Sequence, residues 1–542
     1  FRVKVSDQDI CCFRKMAAFK SFFLAGAVWA IVAGVFYAFL DSPVYNKNAC
    51  LTWNFWIIQM IVQDILNFFG VGNRLEKLRQ DCEFRASERL KVDALIGDSL
   101  YHWPHSLGHV GSFSSTKHVG PKNLTKAFAW EKQNPLGRFI TPGMGGTAID
   151  DKSNIYINWQ PKIAKFSPDG AMLWEYDPNP HCGVFLNGIP VRWSEYWGYH
   201  TFNSVVLWGG ALFSTTERGA AFAISMETGE EIWSRQVLKE HHPWGVMSNS
   251  FLQIYKGILV MDTVLKAHGL NATTGDELWA FKPDEILWSF LASTTGDGTI
   301  VFQDIAGTVY RTNLRDGTLI WKAHGVTGSW TDGSAIVGPN SIVYAVNADL
   351  PGDLSRPGAI KTVRSNKIRA YSLADGKLLW QKELPKPPNN VPAIVRLSPG
   401  ADFSVIQAMG IQNYWNQTYH IHTFDAATGE LQWVFDGPRQ MGKWQASYDL
   451  PWEEQQKLKV FCIPTPWSAP TVDASGTVYI GNQEGPFYAL RDANGDGRVE
   501  GEGEVSSFET MRAFIGSEAP SFAPGMIAVN SCDKLHVFKY SE

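Results

Sequence analysis

The sequence predicts an all-β protein, an eight-bladed β-propeller that follows an N-terminal transmembrane helix and a short helical stalk. Three observations lead to this prediction. A short Gly/Trp motif recurs through the C-terminal three quarters, short β-rich runs surround each copy, and one long apolar run precedes them all. With 542 residues, 45% of them hydrophobic and 13% aromatic, the chain can bury a large core.

The recurring motif reads (Thr/Asp)-Gly-x-x-x-Trp, and its Gly always lies four residues before its Trp. Successive tryptophans are 42 to 59 residues apart, so a fixed unit is separated by loops of variable length. This pattern is typical of repeat architectures, whereas tryptophans scattered through a globular β protein would not keep a constant offset. The six tryptophans of the motif are Trp174, Trp233, Trp279, Trp321, Trp380 and Trp433.

Each copy of the motif has the same local pattern. A short strand, such as residues 222–225, runs into the Thr/Asp-Gly pair, which supplies a positive φ for a tight hairpin, and a second strand carries the Trp. Further β-rich runs lie upstream, for example at 257–261 and 298–302. About four strands per unit form a propeller blade. We expect the Trp on the outer strand to pack between neighbouring blades.

These units resemble the blades of PQQ-type (quinoprotein alcohol dehydrogenase-like) propellers, whose repeat contains this docking segment. Two further units bring the count to eight: residues 471–490, whose turn is replaced by an insertion, and residues 521–540, which lack one strand. Residues 126–131, with Trp130, are predicted to supply that strand and to close the ring without an exposed sheet edge. The resemblance covers residues 124–542 as the propeller domain. It implies the fold rather than the function, because this scaffold hosts enzymes, receptors and assembly factors.

The N-terminal part is predicted to anchor the protein in a membrane. After a leader at residues 1–16, residues 17–40 form the predicted transmembrane helix, and the 19 residues from Phe22 to Leu40 contain no charge. A cleaved signal peptide is the competing interpretation. Arg14, Lys15 and Lys20 precede the span, which places the N-terminus in the cytosol (or stroma or matrix) and the propeller on the lumenal or extracellular side.

Residues 51–69 form a second hydrophobic stretch with a polar stripe, Gln59, Gln63 and Asn67, at intervals of four residues. This pattern predicts an amphipathic helix, lying either in the membrane interface or against the transmembrane helices of a partner. Residues 70–123 are interpreted as a charged helix and a linker. The linker contains a cluster that we expect to pack on a partner or on the propeller rather than to bind a metal: Tyr101, His102, Trp103, His105 and His109.

Charge and cysteine content exclude some functions. The net charge of −5 and the absence of a basic stripe argue against a nucleic-acid partner. The seven cysteines show neither metal-ligand spacing nor a haem-attachment motif. One disulfide, either Cys50–Cys82 or Cys182–Cys462, is the candidate pairing.

The insertion in the seventh unit predicts a structural Ca²⁺ site. Side-chain oxygens at positions 1, 3 and 5, a main-chain carbonyl at position 7 and a carboxylate at position 9 can surround one Ca²⁺. The loop resembles EF-hand-like loops but has Gly503 at position 12, where Glu502 or Glu504 would have to substitute. The predicted ligands are Asp492, Asn494, Asp496, Arg498 (through its carbonyl) and Glu500.

The resemblance also implies a test for enzyme activity. Quinoprotein dehydrogenases of this family hold PQQ in the central channel, between a Trp floor and a disulfide formed by adjacent cysteines. Here the adjacent pair, Cys11 and Cys12, precedes the membrane span and cannot reach the channel, and Trp330 and Trp467 are candidates for the floor among 22 tryptophans. PQQ is therefore not expected. The loops at 193–200 and 241–244, rich in Trp, Tyr and His, are predicted to form a protein-binding rim rather than a hydrolase site.

Together these features predict a non-enzymatic, membrane-anchored scaffold subunit of a membrane protein complex. Its expected partners are membrane lipid, integral membrane proteins and a peptide or protein ligand on the propeller face. The alternative is a PQQ-dependent quinoprotein oxidoreductase.

Overall fold

The computed structural model describes most of the propeller region and none of residues 1–99. The described residues are 100–108, 114–133, 146–159, 162–177, 204–215, 219–237, 250–288, 290–295, 297–326, 329, 331, 333–349, 365–398, 400–410, 416–444, 466–514, 519–532 and 534–541.

Eight four-stranded antiparallel sheets form the predicted blades, which we number 1 to 8. The strands of blades 1 to 4 are β2 (Thr147–Ile149), β3 (Ile155–Trp159), β4 (Lys162–Phe166) and β5 (Met172–Tyr176); β6 (Val206–Trp208), β7 (Ala211–Thr215), β8 (Ala220–Ser225) and β9 (Glu231–Gln236); β11 (Gln253–Tyr255), β12 (Ile258–Thr263), β13 (Lys266–Asn271) and β14 (Glu277–Phe281); and β16 (Ser293–Thr294), β17 (Thr299–Gln303), β18 (Val309–Asn313) and β19 (Leu319–Ala323).

The remaining strands complete the ring. Those of blades 5 to 8 are β20 (Ile336–Val337), β21 (Ile342–Asp349), β22 (Ser365–Ser372) and β23 (Leu378–Glu383); β24 (Ala393–Arg396), β25 (Phe403–Ala408), β26 (Thr418–Asp425) and β27 (Leu431–Arg439); β28 (Thr471–Val472), β29 (Val478–Gly481), β30 (Pro486–Leu490) and β31 (Val505–Glu509); and β32 (Ser521–Ala523), β33 (Met526–Asn530), β34 (Lys534–Lys539) and β1 (Phe128–Gln133). Two short strands, β10 (Ser250–Phe251) and β15 (Phe290–Leu291), pair in parallel where blades 3 and 4 begin.

The first strand of each sheet lies on the inside of the ring. These strands contact one another between neighbouring blades: β2 lies against β32, and β11 lies against both β6 and β16. Second strands are buried almost throughout, as in β7 and β17. The side chains of outer strands such as β5 and β23 are instead exposed or half-buried. Much of the core therefore consists of apolar layers between adjacent blades.

The eighth blade is closed by the N-terminal strand, as predicted, although two residues later than expected. Asn123 caps a single helical turn, α1 (Leu124–Ala127), by accepting a hydrogen bond from the Lys126 amide at 2.9 Å. The strand therefore begins at Phe128, and it pairs antiparallel with β34. On the inner side, the hydroxyls of Thr147 and Ser521 are 2.6 Å apart and join blade 1 to blade 8.

Five of the six motif tryptophans, together with Trp130 of the closing strand, dock on the glycine turn of the next blade, which confirms the predicted packing between blades. The glycines have φ between 70° and 83°, and a Cβ at any of them would approach an indole ring to 2.6–3.2 Å. Glycine is thus required twice, for its backbone conformation and for the close approach of the ring. Each indole N–H donates to a carbonyl oxygen at 2.8–3.1 Å: Trp130 to Pro168, Trp174 to Met226, Trp233 to Ala272, Trp279 to Leu314, Trp321 to Leu373 and Trp380 to Ala426.

Trp433 is the exception, because blade 7 has no such turn. It packs instead in a cluster with Val499, which belongs to the predicted insertion. The insertion runs beside β27: the Val434 amide donates to the Gly497 carbonyl at 3.0 Å, and the Val499 amide donates to the Val434 carbonyl at 2.9 Å. The insertion therefore replaces the usual docking turn between blades 6 and 7.

Within the described residues, no helix is both long and apolar enough to cross a membrane. The predicted transmembrane helix at 17–40, the amphipathic helix at 51–69 and the charged helix that begins at residue 70 lie outside that part of the chain. Cys532 is disulfide-bonded, and the other six cysteines also lie outside it. Neither candidate pairing from the sequence included Cys532, so a bridge was missed there.

Candidate functional site

The predicted linker enters the propeller and occupies its centre. The segment 101–108, here called the channel segment, begins where the Tyr101 hydroxyl accepts a hydrogen bond from the Gly210 amide at 2.9 Å. Trp103 then pairs with Ile149 on the inner strand of blade 1 through two main-chain hydrogen bonds of 3.0 and 2.7 Å. The Pro104 carbonyl accepts from the Leu207 amide of blade 2 at 2.8 Å. The channel segment thus extends the inner sheet edges of two blades.

The end of the channel segment is fully enclosed. Trp103, His105 and Leu107 have exposed fractions of 0%, 1% and 1%. The imidazole Nδ1 of His105 accepts from the Leu107 amide at 3.2 Å, and its Nε2 lies 3.3 Å from the side-chain amide nitrogen of Gln253 in blade 3. Leu107 belongs to one buried cluster with residues from the starts of the other six blades: Phe251, Leu291, Ile336, Ile394, Ala469 and Ala519.

The chain leaves the centre along blade 7 through the return segment, residues 114–121. The Val472 amide donates to the Ser114 carbonyl and the Thr116 amide donates back to the Val472 carbonyl, both at 2.9 Å. The Gly120 amide then donates to a carboxylate oxygen of Asp473 at 2.8 Å. Since the channel and return segments contact blades 1, 2, 3 and 7, the folded unit begins well before residue 124.

The prediction that the His-rich cluster packs against protein is confirmed for its described members. The rings of His102 and His118, from the channel and return segments, are 6.2 Å apart and nearly perpendicular. Burial, and then the proximity of His118, lower the pKa of His102, which favours neutral imidazole. His109 lies outside the described residues.

The predicted calcium loop adopts a tight, self-bonded conformation. The carboxylate of Asp492 accepts from the amides of Gly495 and Gly497 at 2.8 and 3.2 Å, and the Asn494 side-chain oxygen accepts from the Asp496 amide at 2.8 Å. The side chain of Arg498 forms an ion pair with Asp436 of blade 6 at 2.8 Å, and Glu500 follows it in the loop. Each ligand predicted from the sequence therefore lies on one short turn.

Glu504, rather than Glu502, reaches back into this loop. Its two carboxylate oxygens accept from the amides of Ala493, Asn494 and Glu500 at 2.9–3.1 Å. These main-chain bonds, that of Glu500 first, lower the pKa of Glu504. In the described residues as they stand, no group of three or more His, Cys, Asp or Glu side chains is arranged to hold a metal ion.

Two hydroxyl–imidazole–carboxylate chains were missed in the sequence. In blade 3, Thr263 Oγ1 lies 2.7 Å from His268 Nε2, and His268 Nδ1 lies 3.2 Å from a Glu277 carboxylate oxygen. In blade 8, Ser531 Oγ, His536 and Glu131 repeat this order at 3.1 and 3.3 Å. The equal five-residue offset from hydroxyl to histidine was the signal that could have revealed them.

These chains join strands rather than present a nucleophile to substrate. Each runs from the end of the second strand of its blade across the third to the outer strand. Thr263, His268, Ser531 and His536 are all buried. The bond to His536 is the largest cause that lowers the pKa of Glu131, to about 2. A hydrolase requires its nucleophile to meet the substrate, which these buried hydroxyls do not do.

The remaining candidates from the sequence divide into two groups. Trp467 is buried between blades 6 and 7, with its ring 5.9 Å from those of Phe435 and Tyr488, so it does not form a floor in the centre. Trp330 and the loops at 193–200 and 241–244 lie outside the described residues.

Comparisons with known proteins agree with this architecture. A family model described as outer membrane protein assembly factor BamB (PQQ_2) matches residues 255–400, which confirms the resemblance to PQQ-like propellers there. No curated protein sequence matches the chain.

Solved propellers with low sequence identity share the fold. The quinohemoprotein alcohol dehydrogenase of Comamonas testosteroni has a TM-score of 0.51 at 10% identity, over 83% of this chain and 82% of its own. The corresponding enzyme ADHIIG of Pseudomonas putida HK5 has a TM-score of 0.51 at 11% identity, over 82% and 81%. BamB of Moraxella catarrhalis has a TM-score of 0.49 at 12% identity, over 76% and 99%. At these identities the likeness to the two dehydrogenases shows a shared fold alone.

Proposed function

We propose that this PQQ-like eight-bladed propeller is a non-catalytic binding and scaffold subunit of a membrane protein complex, held on the lumenal or extracellular side by its N-terminal helix. One observation carries the proposal: the centre of the ring is occupied by the chain's own channel segment. A quinone placed there would have to displace Trp103, His105 and Leu107, which are enclosed and hydrogen-bonded in place.

Two further observations support this role. The matching family model carries the description of an assembly factor rather than of an enzyme. The disulfide at Cys532 favours an oxidising compartment, since such bonds are rare in the cytosol, and this agrees with the orientation expected from the basic residues before the predicted span.

We also propose that the insertion of blade 7 binds Ca²⁺ in a structural role. Asp492, Asn494, Asp496 and Glu500 would supply side-chain oxygens and Arg498 its carbonyl, while Glu504 would close the site. Carboxylate oxygens that accept one main-chain hydrogen bond keep a second lone pair for a cation. Because this loop replaces the docking turn for Trp433, bound Ca²⁺ would stiffen the contact between blades 6 and 7.

The test of the scaffold role is purification of the full chain from its native membrane in mild detergent. Co-purifying proteins are identified by mass spectrometry, and the absorbance spectrum is scanned for bound quinone. We expect integral membrane partners in fixed stoichiometry and no quinone absorbance. A protein that purifies alone, with a quinone spectrum and quinone-dependent dehydrogenase activity, would establish the alternative oxidoreductase function instead.

A further inference from the structure

A cavity of about 330 Å³ lies where the return segment crosses blades 5, 6 and 7. Its apolar wall is formed by Ile394, Val395 and Phe403 of blade 6 together with Pro339 of blade 5. Ser115 and Thr116 of the return segment form another side. The volume is at the lower end of the range for small ligand sites, which is enough for one large side chain.

Two charged side chains line this cavity, the carboxylate of Asp473 and the guanidinium of Arg396. Asp473 lies in the lining but is buried, and both of its oxygens accept hydrogen bonds, from the Gly120 amide on one and from the Ser475 and Thr477 amides on the other. Arg396 is exposed, stacks on the Phe403 ring with its guanidinium carbon 4.0 Å from the centroid, and donates to the Ala401 carbonyl. Within the described residues no carboxylate pairs with it.

We propose that this cavity binds the C-terminal residue of a partner polypeptide, with an apolar side chain in the cavity and the terminal carboxylate on Arg396. A guanidinium has five N–H donors in a planar fork that matches a carboxylate, and among the described residues these donors make one hydrogen bond, to the Ala401 carbonyl. A C-terminal residue carries its side chain and its carboxylate on one Cα. It can therefore satisfy a site that has an apolar cavity beside an exposed cation.

This inference deepens the proposed binding role and rests on it for its biological purpose, but the site can be tested separately. The full chain in detergent is titrated against a fluorescein-labelled hexapeptide, Gly-Ser-Gly-Ser-Gly-Leu, with a free C-terminal carboxylate, and fluorescence anisotropy is measured. The same peptide with a C-terminal amide should bind at least about tenfold more weakly, since it loses a charge-assisted pair. A peptide ending in Ala should also bind about tenfold more weakly, since less apolar surface is buried.

Two variants and a control locate the binding. Arg396→Gln should abolish the preference for the free carboxylate, and Ser398→Trp, at an exposed position of the lining, should fill the cavity and weaken all three peptides. Arg315→Gln removes an exposed arginine on blade 4 and should change nothing. Circular dichroism of each variant checks that the fold is retained.

The inference is overturned by equal binding of acid and amide, by tighter binding of a peptide whose only carboxylate is an internal Asp, or by no binding up to about 1 mM peptide. Native purification of the Arg396→Gln chain separates the two proposals. If membrane partners still co-purify with this variant, and no peptide binds to the wild-type chain, the cavity assignment fails and the scaffold role stands.

Discussion

Substitution of Trp130 by Phe tests how the ring is closed. This tryptophan lies on β1 and docks on blade 1, where its indole N–H donates to the Pro168 carbonyl at 2.9 Å and its ring covers Gly170. Phe removes the donor, at a cost of about 1 kcal/mol. It also loses part of a half-buried ring, which costs about another 1 kcal/mol at 25 cal/mol per Å². We therefore expect a total of about 2 kcal/mol, or a roughly 30-fold increase in opening of the closing strand.

Hydrogen exchange followed by mass spectrometry measures this opening locally. The peptides that cover β1 and β34 should exchange faster in Trp130→Phe, while those of blades 3 to 6 should keep their protection. Trp380→Phe is the matched control, because this half-buried indole makes the equivalent bond, to the Ala426 carbonyl at 3.1 Å, between blades 5 and 6 and away from the closing strand. It should loosen β23 and leave β1 unchanged. Unaltered exchange of β1 in Trp130→Phe, or a loss of protection spread evenly over all blades, would refute the reasoning.

Three further predictions concern other parts of the chain. Burial raises the pKa of Glu231 to about 7, so the folded state binds its proton more tightly and the free energy of unfolding falls as pH rises from about 4.5 to 7. Glu231→Gln should therefore stabilise the protein at pH 8, by about 1 kcal/mol once the solvent exposure of the side chain is taken into account, and not at pH 4, in urea unfolding curves; equal gains at both pH values would contradict this. Calcium should raise the melting temperature of the wild type and of a Glu502→Gln control but not of Asp496→Asn, and an unchanged melting temperature in the wild type would remove the proposed site. Mass spectrometry of non-reduced peptides should find Cys532 linked to another cysteine, and recovery of Cys532 as a free thiol would disprove the bridge.

The blade architecture was accessible from the sequence because its determinant is local. Each copy requires a glycine with a positive φ and a tryptophan four residues later. The motif therefore marks the hairpin, the outer strand and the contact to the next blade. The closing strand was predicted for the same reason, because it carries Trp130, which docks on the glycine turn of blade 1. Its start was misplaced by two residues because the Asn123 cap turns residues 124–127 into a helical turn.

The occupied centre was not predictable in this way. Trp103 and Leu107 have no periodic pattern, and their partners are inner-strand edges that come together only when the ring closes. Sequence reasoning indicated that this aromatic segment packs on protein, but not where. Likewise, Glu504 was one of two candidates for closing the acidic loop, and the choice depended on the path of the main chain.

The pairing of β1 with β34 sets the order in which the protein can mature. Phe128 emerges from the ribosome early, but its partner, Phe538, is made about four hundred residues later. Until then β1 has no blade to join, because β32, β33 and β34 have not been made, and the channel segment has no complete ring to enter. Contacts so distant in sequence form slowly, and an unpaired strand is prone to associate with other chains. The first strand must therefore stay unpaired until the rest of the propeller has been synthesised.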